Sequence, residues 1–192
     1  AKALAPFGGD VIWRAFVYSE FDNTDRAKQA YNEFVPLDGQ FEDNVIIQIK
    51  NGPIDFQPRE PFHPLFGAMP KSHIGMEFQI TQEYLGFGTH LAYLPVLFSE
   101  VLKSQTHKKN NTVADLLVEK NPSKSLIAGV SNIGSELNWT MHPFGQANWY
   151  GFGKLAWDPD ADVEQIAKEW VASTLTQDAI ATTKITQMML ES

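Results

Sequence analysis

The 192 residues include no cysteine. That excludes disulfide scaffolds, thiol nucleophiles and cysteine-zinc sites, and leaves the cellular compartment open. Long apolar runs are also missing: no stretch nears the roughly 18 residues that a membrane-spanning helix requires. No membrane partner is expected. Basic charge is scarce, with Lys+Arg 15 against Asp+Glu 23 and a net charge of −8. A nucleic-acid partner, which needs a basic surface to neutralise phosphate, is therefore disfavoured. An anionic ligand would have to be met by a few placed cations.

The short catalytic signatures are absent as well. There is no G-x-S-x-G, no H-E-x-x-H and no G-x-x-x-x-G-K-[ST]. The five histidines, His63, His73, His90, His107 and His142, lack ligand spacing, so no metal site is expected. GFGKLA at 151–156 matches a dinucleotide fingerprint, but no strand precedes it, and it is read as chance. No cofactor is implied. NNT at 110–112 and NWT at 138–140 match the glycosylation pattern only weakly. Trp139, Trp149 and Trp157 are expected to pack helices rather than to form a sugar platform.

With 43% hydrophobic residues the chain can bury a core. Strand composition appears at VIWRAFVY (11–18), VIIQIK (45–50), IGMEFQIT (74–81) and LIAGVS (126–131). Helical spacing appears at DRAKQAYNEF (25–34), across 82–103 with Pro95 as a kink or boundary, around 144–156, and in VEQIAKEWVASTL and QDAIATTKITQMML. Aspartates at 158–162 suit the start of the helix that follows them. Strands alternating with helices predict parallel βα units, and four units make half of an eightfold barrel. The expected fold is thus α/β: half of a (β/α)8 barrel over residues 1–143, then the start of a helical domain over 144–192. The first residues, AKALAPFGGD, have neither an initiator methionine nor signal-peptide order, and the last, TQMMLES, have no helix stop. A fragment of a longer protein is expected.

Residues 50–60, KNGPIDFQPRE, follow the apolar NVIIQI and change character within one residue. Ionisable groups are concentrated there on a backbone stiffened by Pro53 and Pro58, which is more than a turn requires. Alternation puts Ile46, Gln48 and Lys50 on one strand face. The same rule groups Glu77, Gln79, Thr81 and Glu83, and also Ile12, Arg14 and Phe16. Ionisable residues on three strands predict a polar barrel mouth, the alternative being core polar groups satisfied by one another. Asp55 and Glu83 lie just past predicted strand ends, on the rim where barrel enzymes gather catalytic residues. Two carboxylates beside two cations, Arg14 and Lys50, suit hydrolysis of a sugar bearing a negative group. Unrelated salt bridges would give the same pattern.

IKNGPIDFQPREPFHPLFGAMPK followed by MEFQITQEYLG closely resembles the catalytic core of the α-glucuronidases, glycoside hydrolase family 67. The resemblance extends to WRAFVY and to FGQANWYGFGKLAWDPD, and so along essentially the whole chain. It implies a (β/α)8 catalytic barrel between an amino-terminal β domain and a carboxyl-terminal helical domain. It also implies inverting release of glucuronic acid, or its 4-O-methyl ether, from glucuronoxylan-derived aldouronic oligosaccharides. On that resemblance Asp55 and Glu83 hold and activate the attacking water. Lys50 and Arg14 bind the uronic carboxylate. The family's general acid lies on an earlier strand, upstream of Ala1, so the isolated chain is expected to be inactive. Arg59 and Glu60 are read as loop-fixing partners. The alternative is a non-catalytic carbohydrate-binding module or an associating half-barrel subunit. A homodimer, or association with the missing amino-terminal part, is the expected assembly, and a cytoplasmic location is expected with secretion as the alternative.

Overall fold

The computed structural model describes residues 1–52, 60–80, 91–108, 110–131, 137 and 143–192, with backbone alone at 26 and 27. Among these residues four strands form one sheet in the order β1-β2-β3-β4: β1 Val11–Arg14, β2 Val45–Lys50, β3 His73–Gln79 and β4 Ile127–Val130. β1 and β2 pair in parallel with Arg14 opposite Gln48, and β2 and β3 with Lys50 opposite Glu77. Met76 N–H donates to Leu126 O and Ile80 N–H to Val130 O, a constant offset (126 − 76 = 130 − 80) that makes this pair parallel too. Among the described residues six α-helices accompany the strands: α1 Arg26–Phe34, α2 Pro95–Lys103, α3 Val113–Glu119, α4 Phe144–Trp157, α5 Val163–Thr174 and α6 Ala179–Leu190. The fold is half of a (β/α)8 barrel followed by carboxyl-terminal helices.

Differences from the expected elements have local causes. β1 stops at Arg14 rather than continuing to Tyr18, because its ladder ends where Ala15 N–H donates to Gln48 O. Beyond it the chain is gathered by buried Gln29, whose amide accepts from Ser19 N–H and donates to the carbonyls of Ser19, Asp22 and Thr24. The expected helix over 82–103 is corrected at 91–94, which are not helical; residues 82–90 lie outside the described residues. Buried Asn148 clamps this segment instead, accepting from Leu94 N–H and donating to Ala92 O. Pro95 then opens α2, where its missing N–H costs no helical bond. α3 is not among the expected helices. Thr112 and Asp115 cap it reciprocally, each side chain accepting from the other's backbone N–H. As expected, an aspartate opens α5: Asp162 accepts from Glu164 N–H.

The chain divides into two compact units, residues 1–78 with 103–128 and residues 79–102 with 129–192. In the first, the apolar face of β2 and β3 presents Ile47, Ile49, Met76 and Phe78, all essentially without exposure. In the second, Tyr93, Ala147, Ala167, Trp170, Val171 and Met189 form one cluster. Trp149 meets Phe152 edge-to-face, whereas Trp157 is 91% exposed, so the expectation of helix packing is corrected at Trp157. Trp139 lies outside the described residues. GFGKLA falls inside α4, not at a strand-to-helix turn, and cannot cradle a phosphate there.

Two glycines of α4 give a paired prediction. A Cβ at Gly151 would sit 2.9 Å from Pro95 Cβ, while one at Gly153 would meet nothing within 4 Å. Gly151→Ala should lower stability by about 1–3 kcal/mol through overpacking. Gly153→Ala should raise it by roughly 0.5–1 kcal/mol through helix propensity alone. Urea denaturation midpoints of the two variants should move in opposite directions.

Candidate active site on the polar sheet face

The strand registers bring three alternating patterns onto one face. Arg14 stands opposite Gln48, Gln48 opposite Gly75 and Lys50 opposite Glu77, so the expected polar faces of β1, β2 and β3 coincide. Gly75 is small because Leu126 fills the space beside it, its Cβ 2.8 Å from where a Gly75 Cβ would be. Glu77, 1% exposed, receives a two-pronged bond from Arg14, Nε to Oε2 at 2.8 Å and Nη2 to Oε1 at 2.7 Å. Gln48 Nε2 also donates to Glu77 Oε2. This geometry fixes a planar guanidinium far better than a lysine could be fixed. Alternation places Glu77 on the polar face, but not as the partner of Arg14; only the register reveals that role.

Lys50 ends β2 and is 2% exposed, although it is a lysine. Its Nζ lies 5.2 Å from the centre of the Phe16 ring, and Arg14 Cζ lies 4.9 Å from the same centre. After Lys50 the described chain stays close to the sheet on both sides of residues 53–59, with Asn51, Gly52 and His63 buried. Asn51 N–H donates to Glu77 O, and Asn51 O accepts from His63 N–H. Gly52 lies against Glu60, where a Cβ would come within 2.9 Å of Glu60 Cβ. Glu60 therefore packs against Gly52; Arg59 lies outside the described residues. Asp55 and Glu83 also lie outside them, so of the four expected site residues the structure brings together Arg14 and Lys50.

His63, named in the sequence only as a histidine without ligand spacing, is a hydrogen-bonded residue close to Lys50. It is 2% exposed, and its Nδ1 accepts from Leu65 N–H at 3.1 Å, which puts the ring proton on Nε2. Burial, and secondarily the charge of Lys50, pushes its pKa down to about 4. His73 is buried at the opposite end of the face and bonds Asp43 at 3.0 Å. His107 is exposed, and His90 and His142 lie outside the described residues. Among the described residues no three His, Asp or Glu side chains are grouped to hold a metal ion. No helix among them is long and apolar enough to cross a membrane.

A cavity of about 250 Å³ lies between the amino end of β3 and α3, away from the strand end that carries Lys50. Its three lysines are each already engaged: Lys108 with Glu119, Lys120 with the Lys71 carbonyl and Lys124 with Asp10. Their positions near the end of α3 suit the negative pole of that helix, and the cavity has no role in the polar face.

Residues 1–139 match the family model for the glycosyl hydrolase family 67 middle domain, and residues 140–192 the model for the family 67 C-terminus. The chain belongs to glycosyl hydrolase family 67. It is 42% identical over 201 residues to a probable alpha-glucuronidase A of Neosartorya fischeri, and 42% identical over 200 residues to an alpha-glucuronidase of Hypocrea jecorina. A third relative, alpha-glucuronidase A of Emericella nidulans, is 42% identical over 203 residues. Each similarity covers 100% of this family 67 chain and 24% of the relative, so the chain spans about a quarter of their length.

Two predictions arise from the geometry. A double-mutant cycle of Arg14→Met with Glu77→Gln should give a coupling of about 1–2 kcal/mol by denaturation, more than an exposed pair because the Glu77 end is buried. A coupling near zero would mean that the fork is incidental. The second concerns acid. An unfolded histidine takes up its proton near pH ~6.5, whereas folded His63 does so only at about 4. Between these values the unfolded state binds more protons, so stability falls as pH drops through the window, by on the order of 3 kcal/mol from this group. His63→Asn keeps an acceptor for Leu65 N–H but cannot titrate. Urea titrations at stepped pH should show a shallower acid loss in that variant.

Proposed function

We propose that this chain is part of an inverting α-glucuronidase that hydrolyses the α-1,2 bond of glucuronoxylan-derived aldouronic oligosaccharides, releasing glucuronic acid or its 4-O-methyl ether. The observation that carries the reading is similarity along the whole chain to proteins named alpha-glucuronidase. The geometry supports it: a buried ammonium at a strand's carboxyl end beside a guanidinium is what an anionic sugar needs in a protein of net charge −8. Lys50 and Arg14 hold the uronic carboxylate. Asp55 and Glu83 hold one water and take its proton.

Inversion places the water and the proton donor on opposite faces of the sugar, with acid and base carboxyls ~6.5–9.5 Å apart. The donor in this reading comes from residues outside these 192, and the isolated chain releases no glucuronic acid. No cofactor takes part. Residues 1–143 belong to the barrel and 144–192 to the helical domain. Association, as a homodimer or with a separate amino-terminal piece, belongs to the same proposal, because β1 stands at the sheet edge with Ile12 and Trp13 half exposed.

In the intact protein, Asp55→Asn and Glu83→Gln should each lower turnover by at least ~10²-fold, the low end for lost general-base assistance. Substrate affinity should hardly change. Lys50→Met should weaken inhibition by glucuronate and lower turnover together. NMR of the first product should show the β-anomer. The α-anomer would rule out inversion, near wild-type turnover would make either carboxylate a bystander, and unchanged glucuronate inhibition would remove Lys50 from the site.

A further inference from the structure

We infer that His63 is a substrate-binding residue, donating its Nε2–H to the uronic carboxylate beside Lys50. The inference rests on the α-glucuronidase reading and adds a neutral donor to its site. His63 is buried next to the strand end that carries Lys50. Its N–H donates to the carbonyl of Asn51, the residue after Lys50, and Asn51 N–H donates to Glu77 O. Its own carbonyl accepts from Phe66 N–H, and its Nδ1 accepts from Leu65 N–H. The ring can neither turn over nor move its proton to Nδ1 without losing the Leu65 bond. Only Nε2–H is left, and it has no partner among the described residues.

A buried ring N–H without an acceptor is costly, and native proteins seldom keep one without a use for it. Among the described residues, Thr186 Oγ1 is the side-chain polar atom that is both enclosed and unpartnered. The His63 ring proton is therefore not sealed among packed side chains but opens onto accessible space. That space is within reach of Lys50, whose charge acts on the ring. The acceptor that suits both groups is a carboxylate, whose two oxygens offer about four lone-pair sites, enough for an ammonium and a ring N–H at once. An N–H bond to a carboxylate is charge-assisted, roughly twice as strong as a neutral one. With Nδ1 committed to Leu65 the imidazole stays neutral, so it supplies a donor without placing a second charge against Lys50. The ring makes this bond itself, whatever partners Lys50 also has. A hydroxymethyl group in the carboxylate's position offers one uncharged oxygen, so the same N–H favours the uronate.

The test uses the intact protein with glucuronate as the probe, read by calorimetry, beside urea denaturation of the same variants. Two amides each reproduce one end of the ring. His63→Asn puts an oxygen where Nδ1 accepts from Leu65 and leaves no donor at the Nε2 position. His63→Gln carries an N–H out to the Nε2 position and gives up the Leu65 bond. Glucuronate affinity should fall about tenfold or more in His63→Asn, the loss of one hydrogen bond to a charged group, and stay within about threefold of wild type in His63→Gln. Stability should rank the other way, with His63→Gln the less stable. A merely structural His63 would make affinity follow stability, so the crossing of the two orders separates the roles. Glucuronate affinity within twofold of wild type in His63→Asn overturns the inference, as does His63→Gln binding no better than His63→Asn. Should His63→Gln fail to fold, wild-type protein with 15N-labelled histidine decides by NMR: the Nε2 proton should move downfield when glucuronate is added, and no movement overturns the inference. Failure of the wild-type protein to bind glucuronate overturns the α-glucuronidase reading itself, and the inference with it.

Discussion

Burying Glu77 is the constraint around which the polar face is organised. A carboxylate at 1% exposure cannot stay charged without donors, and the two that meet it, Arg14 and Gln48, come from the two strands on one side of β3. One side chain therefore couples the registers of β1, β2 and β3. A slip of any strand by one residue would turn its polar set to the apolar face and strip Glu77 of a partner. The apolar side, with Ile47, Ile49, Met76 and Phe78, imposes the same register from behind.

That register has a consequence at the strand ends. With Glu77 directly opposite Lys50, its carbonyl receives Asn51 N–H, and Asn51 O in turn receives His63 N–H. Asn51 and His63 are thus pinned to the sheet by backbone bonds, and Gly52 lets Glu60 lie against it. A neutral His63 suits this position, because a second full positive charge beside buried Lys50 would be opposed by both burial and repulsion. The carboxyl end of the sheet is built for fixed placement of cations, and its amino end, with the lysines around α3, for stability.

Much of the architecture is legible in the sequence. VIIQIK is a strand over the expected residues because an apolar run is bounded abruptly by turn chemistry, and α1 and α4 to α6 fall close to their expected bounds because helical spacing marks all four and aspartate caps start α5 and α6. α3 escapes a reading by apolar spacing, although T-x-x-D precedes an apolar run at Thr112 and is itself a capping signal. β1 is shorter than expected because WRAFVY keeps strand composition past the point where pairing stops. Composition cannot say where a ladder ends when the next segment is gathered by a distant side chain, here Gln29.

The information carried by the residues alone is local: which of them alternate within each strand, where helices are capped, that cations are few, and through long shared motifs, that the chain belongs to family 67. Alternation puts Arg14, Lys50 and Glu77 each on one side of its own strand. That these are the same side, that Arg14 is held by Glu77, and that both cations approach one Phe16 ring follow only from the folded sheet. The reason is physical. A side chain's direction within a strand follows from covalent geometry over two residues, whereas its partner across the sheet depends on register, which is settled by the burial of many side chains at once.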